Sequence, residues 1–469
     1  MLSKDDLQQF TKEELVDFTY NLLKQVENLT REVQFLREEV RMYKNPKNSG
    51  NSSLPPSKDL FQSKNQSLRE KSNKKSGGQP GHKGETLLMT PNPDRIIKHV
   101  PSLVCPKCGE IHTEESLQLV GKRQVIDTPR IKAIVTEHQN YQSTCKCGFV
   151  DSGTFPVNIA APVQYGPNLI SLTAYLSSRQ FVPYHRLTEL IQSITNISMS
   201  EGTISNILNK AADSVLPLYQ GIKEEVTNAT TVGGDETGLK VKNAKYWAWT
   251  WQTALATYIS ISKSRGFETI ANTFPDGFPN ATYVSDSLSA QLKTKAKSHQ
   301  LCLAHLLRDL TFFQQIYLHS WPTKMKALLK KAILLKHSMT PEQYTEPFGE
   351  RMELIKAFET LLKQTLPGNV PKIFPFQKRL IKRHHQIFTF LFYPGVPYDN
   401  NGSERAIRNI KVKQKVSGGF RSERGAEIFA ILRSVFDTVL KKGGNPFEDI
   451  RFALNMASCK RDFRVNQLL

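Results

Sequence analysis

The stretch TVGGDETGLKVKNAKYWAWTWQTALATYISIS, residues 231–262, decides the fold. A short apolar lead-in reaches Asp235 and Glu236 and then a turn. The segments YWAWTWQTALA and YISISKS that follow are rich in aromatic and β-branched residues, as strands require. A helix is expected over 266–273. ATYVSDSLSA reads as a further strand with Asp286 at its end, and HQLCLAHLLRDL passes from strand into helix. The order is therefore three strands, a helix, a strand, and a strand followed by a helix.

An acid at a strand end is, taken singly, a turn or cap residue more often than a functional one. Asp235 and Asp286 gain meaning beside Glu404, in YDNNGSERAIRNIKVKQKV at residues 398–416. From that segment alone two readings stay open. In one, Glu404 complements a helix dipole and pairs with Arg408 four residues on. In the other it is a metal ligand, and the helix also grips phosphates through Arg405, Arg408, Lys411 and Lys415. Glu404, Arg408, Lys411 and Lys415 share one helical stripe. The three carboxylates together would suit two Mg²⁺ (or Mn²⁺) ions. That is the chemistry of nucleases, polymerases and strand transferases.

The chain of 469 residues carries a formal charge of +20 and is 39% hydrophobic, which points to a polyanionic partner and to a sizeable core. No apolar run of eighteen residues occurs and the N-terminus lacks a signal-like stretch, so no membrane partner is expected. Leu22, Leu29, Leu36 and Tyr43 recur every seven residues, as do Val26, Val33 and Val40. Valine at a and leucine at d favours a parallel two-stranded coiled coil, hence a homodimer or higher oligomer. The alternative is one helix packed on its own chain. Residues 41–94 hold ten Lys/Arg against four Asp/Glu and are rich in Gly, Pro and Ser. This is either a tether that lies along DNA, with Lys74 and Lys75 in its most basic run, or a plain solvated linker.

Cys105 and Cys108 in CPKCGE, and Cys145 and Cys147 in CKCGF, read as a zinc-ribbon variant holding one structural Zn²⁺, with two short strands expected between the pairs. Stray reduced pairs and a redox motif are the alternatives. Residues 166–216 read as helical, with two amphipathic stretches joined near 196–199 and Ser200 as N-cap of the second. A helix-turn-helix would present Glu201, Thr203 and Asn206 to a groove; an ordinary helix pair is equally compatible. His305 and Arg308 share a helical face, as phosphate or leaving-group contacts or as a packed histidine and a structural ion pair. Cys302 and Cys459 read as unligated thiols.

GDETG, SDSLSAQ, CLAHLLRDL and DNNGSERAIRNIKVKQKVSGGFRSERGAEIFAILRS together resemble the bacterial insertion-sequence transposases of family sixty-six. The likeness extends upstream to NSSLPPSKD, GGQPGHKG and the cysteine pairs. It implies an RNase H-like domain with an Asp-Asp-Glu triad falling on Asp235, Asp286 and Glu404. The long gap before Glu404 implies an insertion; residues 290–398 hold seventeen Lys/Arg against six Asp/Glu. Arg421 and Arg424 would extend the DNA surface, and the adjacent glycines would admit DNA to the backbone.

The expected fold is multidomain α+β. It comprises a coiled-coil helix (1–45), a basic linker (46–100), a zinc-binding module (101–160) and a helical DNA-binding segment (161–228). An RNase H-like catalytic domain (229–311 and 396–442) follows, with a basic helical insertion (312–395) and a tail (443–469). The resemblance implies cutting of double-stranded DNA at element ends and joining of the 3′-OH to target DNA, in a bacterial cytoplasm on the nucleoid, with or without accessory proteins. A catalytically silent DNA-binding regulator and a nuclease that cuts without joining are the alternatives.

Overall fold

The computed structural model describes residues 9–48, 50–52, 87–156, 158–367 and 370–465, with side chains to 455. Lys74, Lys75 and the side chain of Cys459 lie outside the described residues. The chain forms two units, residues 1–66 with 135–469, and residues 67–134.

In the larger unit, helix α1 (Lys12–Lys44) starts at a capping box. Glu14 N–H donates to Thr11 Oγ1 at 3.3 Å, and the Glu14 carboxylate accepts from Thr11 N–H at 2.8 Å. Its C-terminal end is fastened to the same unit by Arg41, which donates to the Ile316 carbonyl at 3.3 Å, and by the burial of Glu38 beside Arg41 and Lys372. Val26, Leu29, Val33, Leu36 and Val40 remain about half exposed.

Strands β1 (Gln142–Thr144) and β2 (Val150–Ser152) pair antiparallel around the Cys145 turn. Of the two strands expected between the cysteine pairs, only β1 forms, at the very end of that stretch, and its partner lies beyond Cys147. Residues 117–141 have no regular structure, and Val125, Ile131 and Val135 are exposed. Alternation there has no face to bury, so it does not create a ladder.

Helices α2 (Pro167–Ala174), α3 (Tyr184–Thr195), α4 (Glu201–Ser214) and α5 (Leu216–Thr227) follow. Asn196, at φ 60°, ends α3 in the left-handed region, and Ser200 Oγ caps α4 by accepting Thr203 N–H at 3.1 Å. Leu187, Ile191, Ile204, Leu208 and Ala211 are buried, while Glu201 and Asn206 stay exposed and Thr203 half-buried.

Strands β3 (Thr231–Val241), β4 (Ala244–Gln252) and β5 (Thr257–Ser262) form an antiparallel meander. Lys242 and Asn243, both at positive φ, make the two-residue turn that right-handed strand twist favours. After α6 (Phe267–Thr273), β6 (Phe278–Ser285) pairs parallel to β3, and β7 (Ala296–Leu301) parallel to β6. The sheet order is β5-β4-β3-β6-β7. Trp249, Trp251, Val232 and Tyr283 pack with α2–α5 on one face.

Helix α7 (Leu303–Ile316) leads into α8 (Ser320–Ser338), α9 (Gly349–Lys363) and α10 (Ile373–Lys382). Trp321, Phe358 and Phe376 build a helical core there that also takes Val284 and Leu301 of the sheet. Helices α11 (Asn401–Ser417), α12 (Glu423–Lys441) and α13 (Pro446–Val465) complete the chain. Ile410, Ala426 and Phe429 cover Leu239, Ala248 and Ile259. Helix α12 also closes the outer edge of β5. Ser434 and Thr438 hydroxyls accept the N–H groups of Ile259 and Thr257 at 2.9 and 3.0 Å, so that edge offers fewer free donors for pairing with another chain. Among the described residues no helix is long and apolar enough to cross a membrane.

Candidate active site

The parallel register of β3 and β6 brings two acids together. Gly233 lies opposite Val284, and two residues further along each chain stand Asp235 and Asp286. Asp286 has just left its strand and accepts Leu288 N–H at 2.7 Å in a side-chain turn. Helix α11 carries Glu404 in its first turn and is drawn onto β3 at the same level. Asn400 Nδ2 donates to the Gly234 carbonyl at 2.7 Å, and Ser403 Oγ to Asn400 Oδ1 at 2.7 Å. A Cβ on Gly233 would sit 2.8 Å from Ser403 Oγ, so only glycine permits this approach.

Asp235, Asp286 and Glu404 are all half-buried. The Asp235 carboxyl is pushed well above the carboxylate range, by burial first, then by the charges of Glu236 and Asp286 and, less, of Glu404. Asp286 is raised by burial and, to a smaller extent, by Glu404, against its Leu288 hydrogen bond and the Arg265 charge. Asp235 and Asp286 therefore sit where the charge of Glu404 is felt and negative charge is under-compensated.

The ion pair expected between Glu404 and Arg408 is replaced by one with Arg308, 3.4 Å away on α7. Cys302 and His305, at the start of α7, offer ligand atoms that lie with a Glu404 oxygen within 4.8 Å of one another, a set able to hold a metal ion. Burial pushes the Cys302 thiol up to about 12, and its Sγ accepts Asn400 N–H at 3.2 Å. Burial, then the charges of Arg308 and Arg379, push His305 down to about 3, so its imidazole is neutral at pH 7. The Cys-x-x-His spacing at a strand–helix junction was the available signal for this group.

Glu236, on the opposite face of β3 from Asp235, is a second residue that sequence reasoning passed over. Its side chain is 2% exposed and accepts Arg265 Nη2 and Nε at 2.6 and 2.9 Å and Gln291 Nε2 at 2.7 Å. Burial first, then Asp286, push it up to about 7. Gln291 stands five residues after Asp286, but nothing in the spacing discloses the contact.

Arg405, Arg408, Lys415 and Arg421 are exposed and make no ion pair among the described residues. Lys411 instead donates to the Gly238 carbonyl. Arg424 is held by Asp213 at 2.5 Å, Asn209 at 3.0 Å and Glu427 at 3.2 Å. The glycines after α11 serve the fold. Gly418 ends the helix at φ 71°, and a Cβ on Gly419 would lie 2.9 Å from the Lys240 carbonyl oxygen.

The cysteine pairs fall in different units, and each makes its own tight turn. In the smaller unit Gly109 N–H donates to the Cys105 carbonyl at 2.9 Å; in the larger, Gly148 N–H donates to the Cys145 carbonyl at 2.9 Å. Both glycines have positive φ. Backbone N–H groups lower the Cys105 thiol, from Lys107 first, and the Cys145 thiol, from Cys147 first, as thiolate ligands require.

A raised carboxyl binds a proton in the fold that the unfolded chain has already released. Its stabilising contribution is full below the ordinary carboxylate range and is lost as pH rises through the folded value. In chelator, Asp235→Asn should thus be more stable than the parent chain at pH 8, and the gain should shrink towards pH 4. Thermal unfolding at the two pH values reads this; a variant less stable at pH 8 would show that the carboxylate is well accommodated.

A family model described as "Transposase IS66 family" matches residues 162–428, more than half of the chain. A second, for a family of unknown function, matches residues 4–87. No curated protein matches the chain.

Proposed function

The chain belongs to the IS66 family of transposases, and from that premise we propose that it cuts phosphodiester bonds at insertion-sequence ends and joins the freed 3′-OH to target DNA. The observation that supports this reading is the meeting of Asp235, Asp286 and Glu404 where β3, the end of β6 and the start of α11 converge. Three half-buried carboxyls, of which Asp235 and Asp286 are raised by burial and by neighbouring negative charge, suit divalent cations, Mg²⁺ or Mn²⁺, two per site. Bound there, such ions supply Lewis-acid stabilisation of charge on the attacking and leaving oxygens.

The protein's own groups have distinct tasks in this reading. Asp235 and Asp286 hold the cations from the sheet, and Glu404 does so from α11. Arg308 orients Glu404. Neutral His305 offers a hydrogen-bonding ring without adding positive charge. Arg405, Arg408, Lys415 and Arg421 present free cations to DNA phosphates, which position the strand without reading its sequence. The half-exposed heptad seam of α1 would bring two copies, and so two DNA ends, together; a monomer by light scattering would remove that part.

The test is incubation of the full chain with Mg²⁺, DNA carrying the ends that flank its gene, and a target duplex. Free 3′-OH ends and joined products are expected. Ends without joined products would favour the nuclease reading, and neither product the regulator.

The two cysteine turns are read as zinc-ligand turns. Protein purified without chelator should contain about one zinc per chain, and Cys145→Ser should lower that content. Metal analysis that finds none would end this reading.

A further inference from the structure

A groove of about 300 Å³ opens between the chain leaving Asp286 and helix α10. Ser287, Ser289 and Leu292 line one side, and Lys378, Arg379, Lys382 and Arg383 the other. The face of α10 opposite Lys378 and Lys382 buries Ile373, Phe376 and Leu380, so these two cations are directed away from the core, while Arg379 and Arg383 flank the buried face. Lys378, Arg379 and Lys382 are exposed and Arg383 is half-buried. The lining includes no acid.

The charges of these cations are mostly left without a protein anion. Among the described residues only Arg379 has an ion pair, with Asp309 of α7 at 2.8 Å. Lys378 and Lys382 are like charges four residues apart on the helix, an arrangement that weakens it unless an anion intervenes, and Arg383 at the helix end adds a further cation. Lys378 lies over the Phe374 ring at 4.4 Å and Arg379 over Phe376 at 5.0 Å, which restrains both stems. Through Asp309 the groove wall is tied to the helix that carries His305 and Arg308. The charge of Arg379 is felt at His305.

We propose that this groove holds backbone phosphates of the DNA strand that passes Asp286, a binding surface separate from the cations of α11. It rests on the transposase reading for the identity of its polyanion. Serine hydroxyls and cationic side chains here touch phosphate and carry no base code, so the grip is independent of sequence. A groove whose floor begins one residue after Asp286 places this grip beside the carboxylates. Arg379 is the positioning residue, and Lys378 and Lys382 are the free phosphate ligands.

The experiment compares the full chain with Lys378→Ala/Lys382→Ala, and with Lys378→Arg/Lys382→Arg, binding a 30-base-pair duplex of arbitrary sequence in chelator over a range of KCl. The alanine pair should bind more weakly. Its plot of log affinity against log salt should be shallower by about 1.8, because each phosphate that a side chain neutralises contributes about 0.9 to the slope. The arginine pair should restore the slope. A slope unchanged in the alanine variant, with the melting temperature kept, would overturn the groove. So would inorganic phosphate alone protecting the parent chain, but not the alanine variant, against thermal unfolding, because the site would then take a small anion. Cleavage of end DNA in Mg²⁺ is measured beside it. A parent chain that cuts, with a variant equal to it in binding and cutting, sinks the groove alone. A parent chain that binds with the expected slope difference but never cuts sinks the transposase reading alone.

Discussion

Glu404→Gln should abolish Mg²⁺-dependent cleavage of an element end while leaving folding and DNA binding in place. The change keeps the shape of the side chain and removes its charge. What it costs the fold is limited because the contact with Arg308 is a single long one, at 3.4 Å, and the glutamine amide oxygen can still accept from the guanidinium. It also relieves repulsion from Asp235 and Asp286. If Glu404 holds a cation, the rate of the chemical step should fall by orders of magnitude. Arg408→Ala should act differently, weakening DNA binding and flattening its salt dependence, because one phosphate is no longer neutralised. A glutamine variant that cuts labelled end DNA at a near-normal rate would leave Glu404 as no more than a partner of Arg308.

Gly234→Ala should be nearly as damaging, although it touches no ionisable group. A Cβ at this position would lie 2.0 Å from Tyr283 Oη and 2.6 Å from its Cζ, and Tyr283 is fully buried. At such distances something must shift, and because the Tyr283 ring is enclosed on β6 the strain falls on the spacing of β3 and β6. Overpacking of this kind costs about 1–3 kcal/mol. The larger consequence is geometric, since Asp235 is the next residue and Asp286 is anchored on the other strand. A misplacement of about 1 Å between reacting groups can cost ~100-fold in rate. Gly238→Ala is the control on the same strand. Its added Cβ would meet nothing nearer than 3.9 Å, and it should change stability by no more than ~0.5 kcal/mol. Equal activity for the two variants would show that the spacing of β3 and β6 does not govern the site.

Much of the secondary structure was legible in the residues. The aromatic and β-branched residues of YWAWTWQTALA mark a strand because such side chains fit a pleated, half-buried surface. Ser200 announces the start of α4 because its hydroxyl can reach the Thr203 N–H. The same logic failed over residues 121–141, where apolar alternation was present but the apolar side chains Val125, Ile131 and Val135 stay exposed; only Gln142 and Ser143, at the end of that stretch, enter a strand. It also failed at Gly418 and Gly419, whose freedom serves a helix end and a close approach to Lys240.

What the amino-acid order determined by itself was therefore local: periodicity, caps, turns, charge and the three acids as candidates, all set by interactions within a few residues. The tertiary structure decided which distant groups meet. Parallel pairing of β3 with β6 set Asp235 beside Asp286, 51 positions on, and the fastening of Asn400 to the Gly234 carbonyl brought Glu404 to the same place. Glu404 took Arg308, 96 residues away, in preference to Arg408 on its own helix. Glu236 took Arg265 and Gln291, and Cys302 joined His305 and Glu404. Such pairings depend on how sheet, insertion and helices pack in three dimensions, and no helical or strand period in the sequence encodes them.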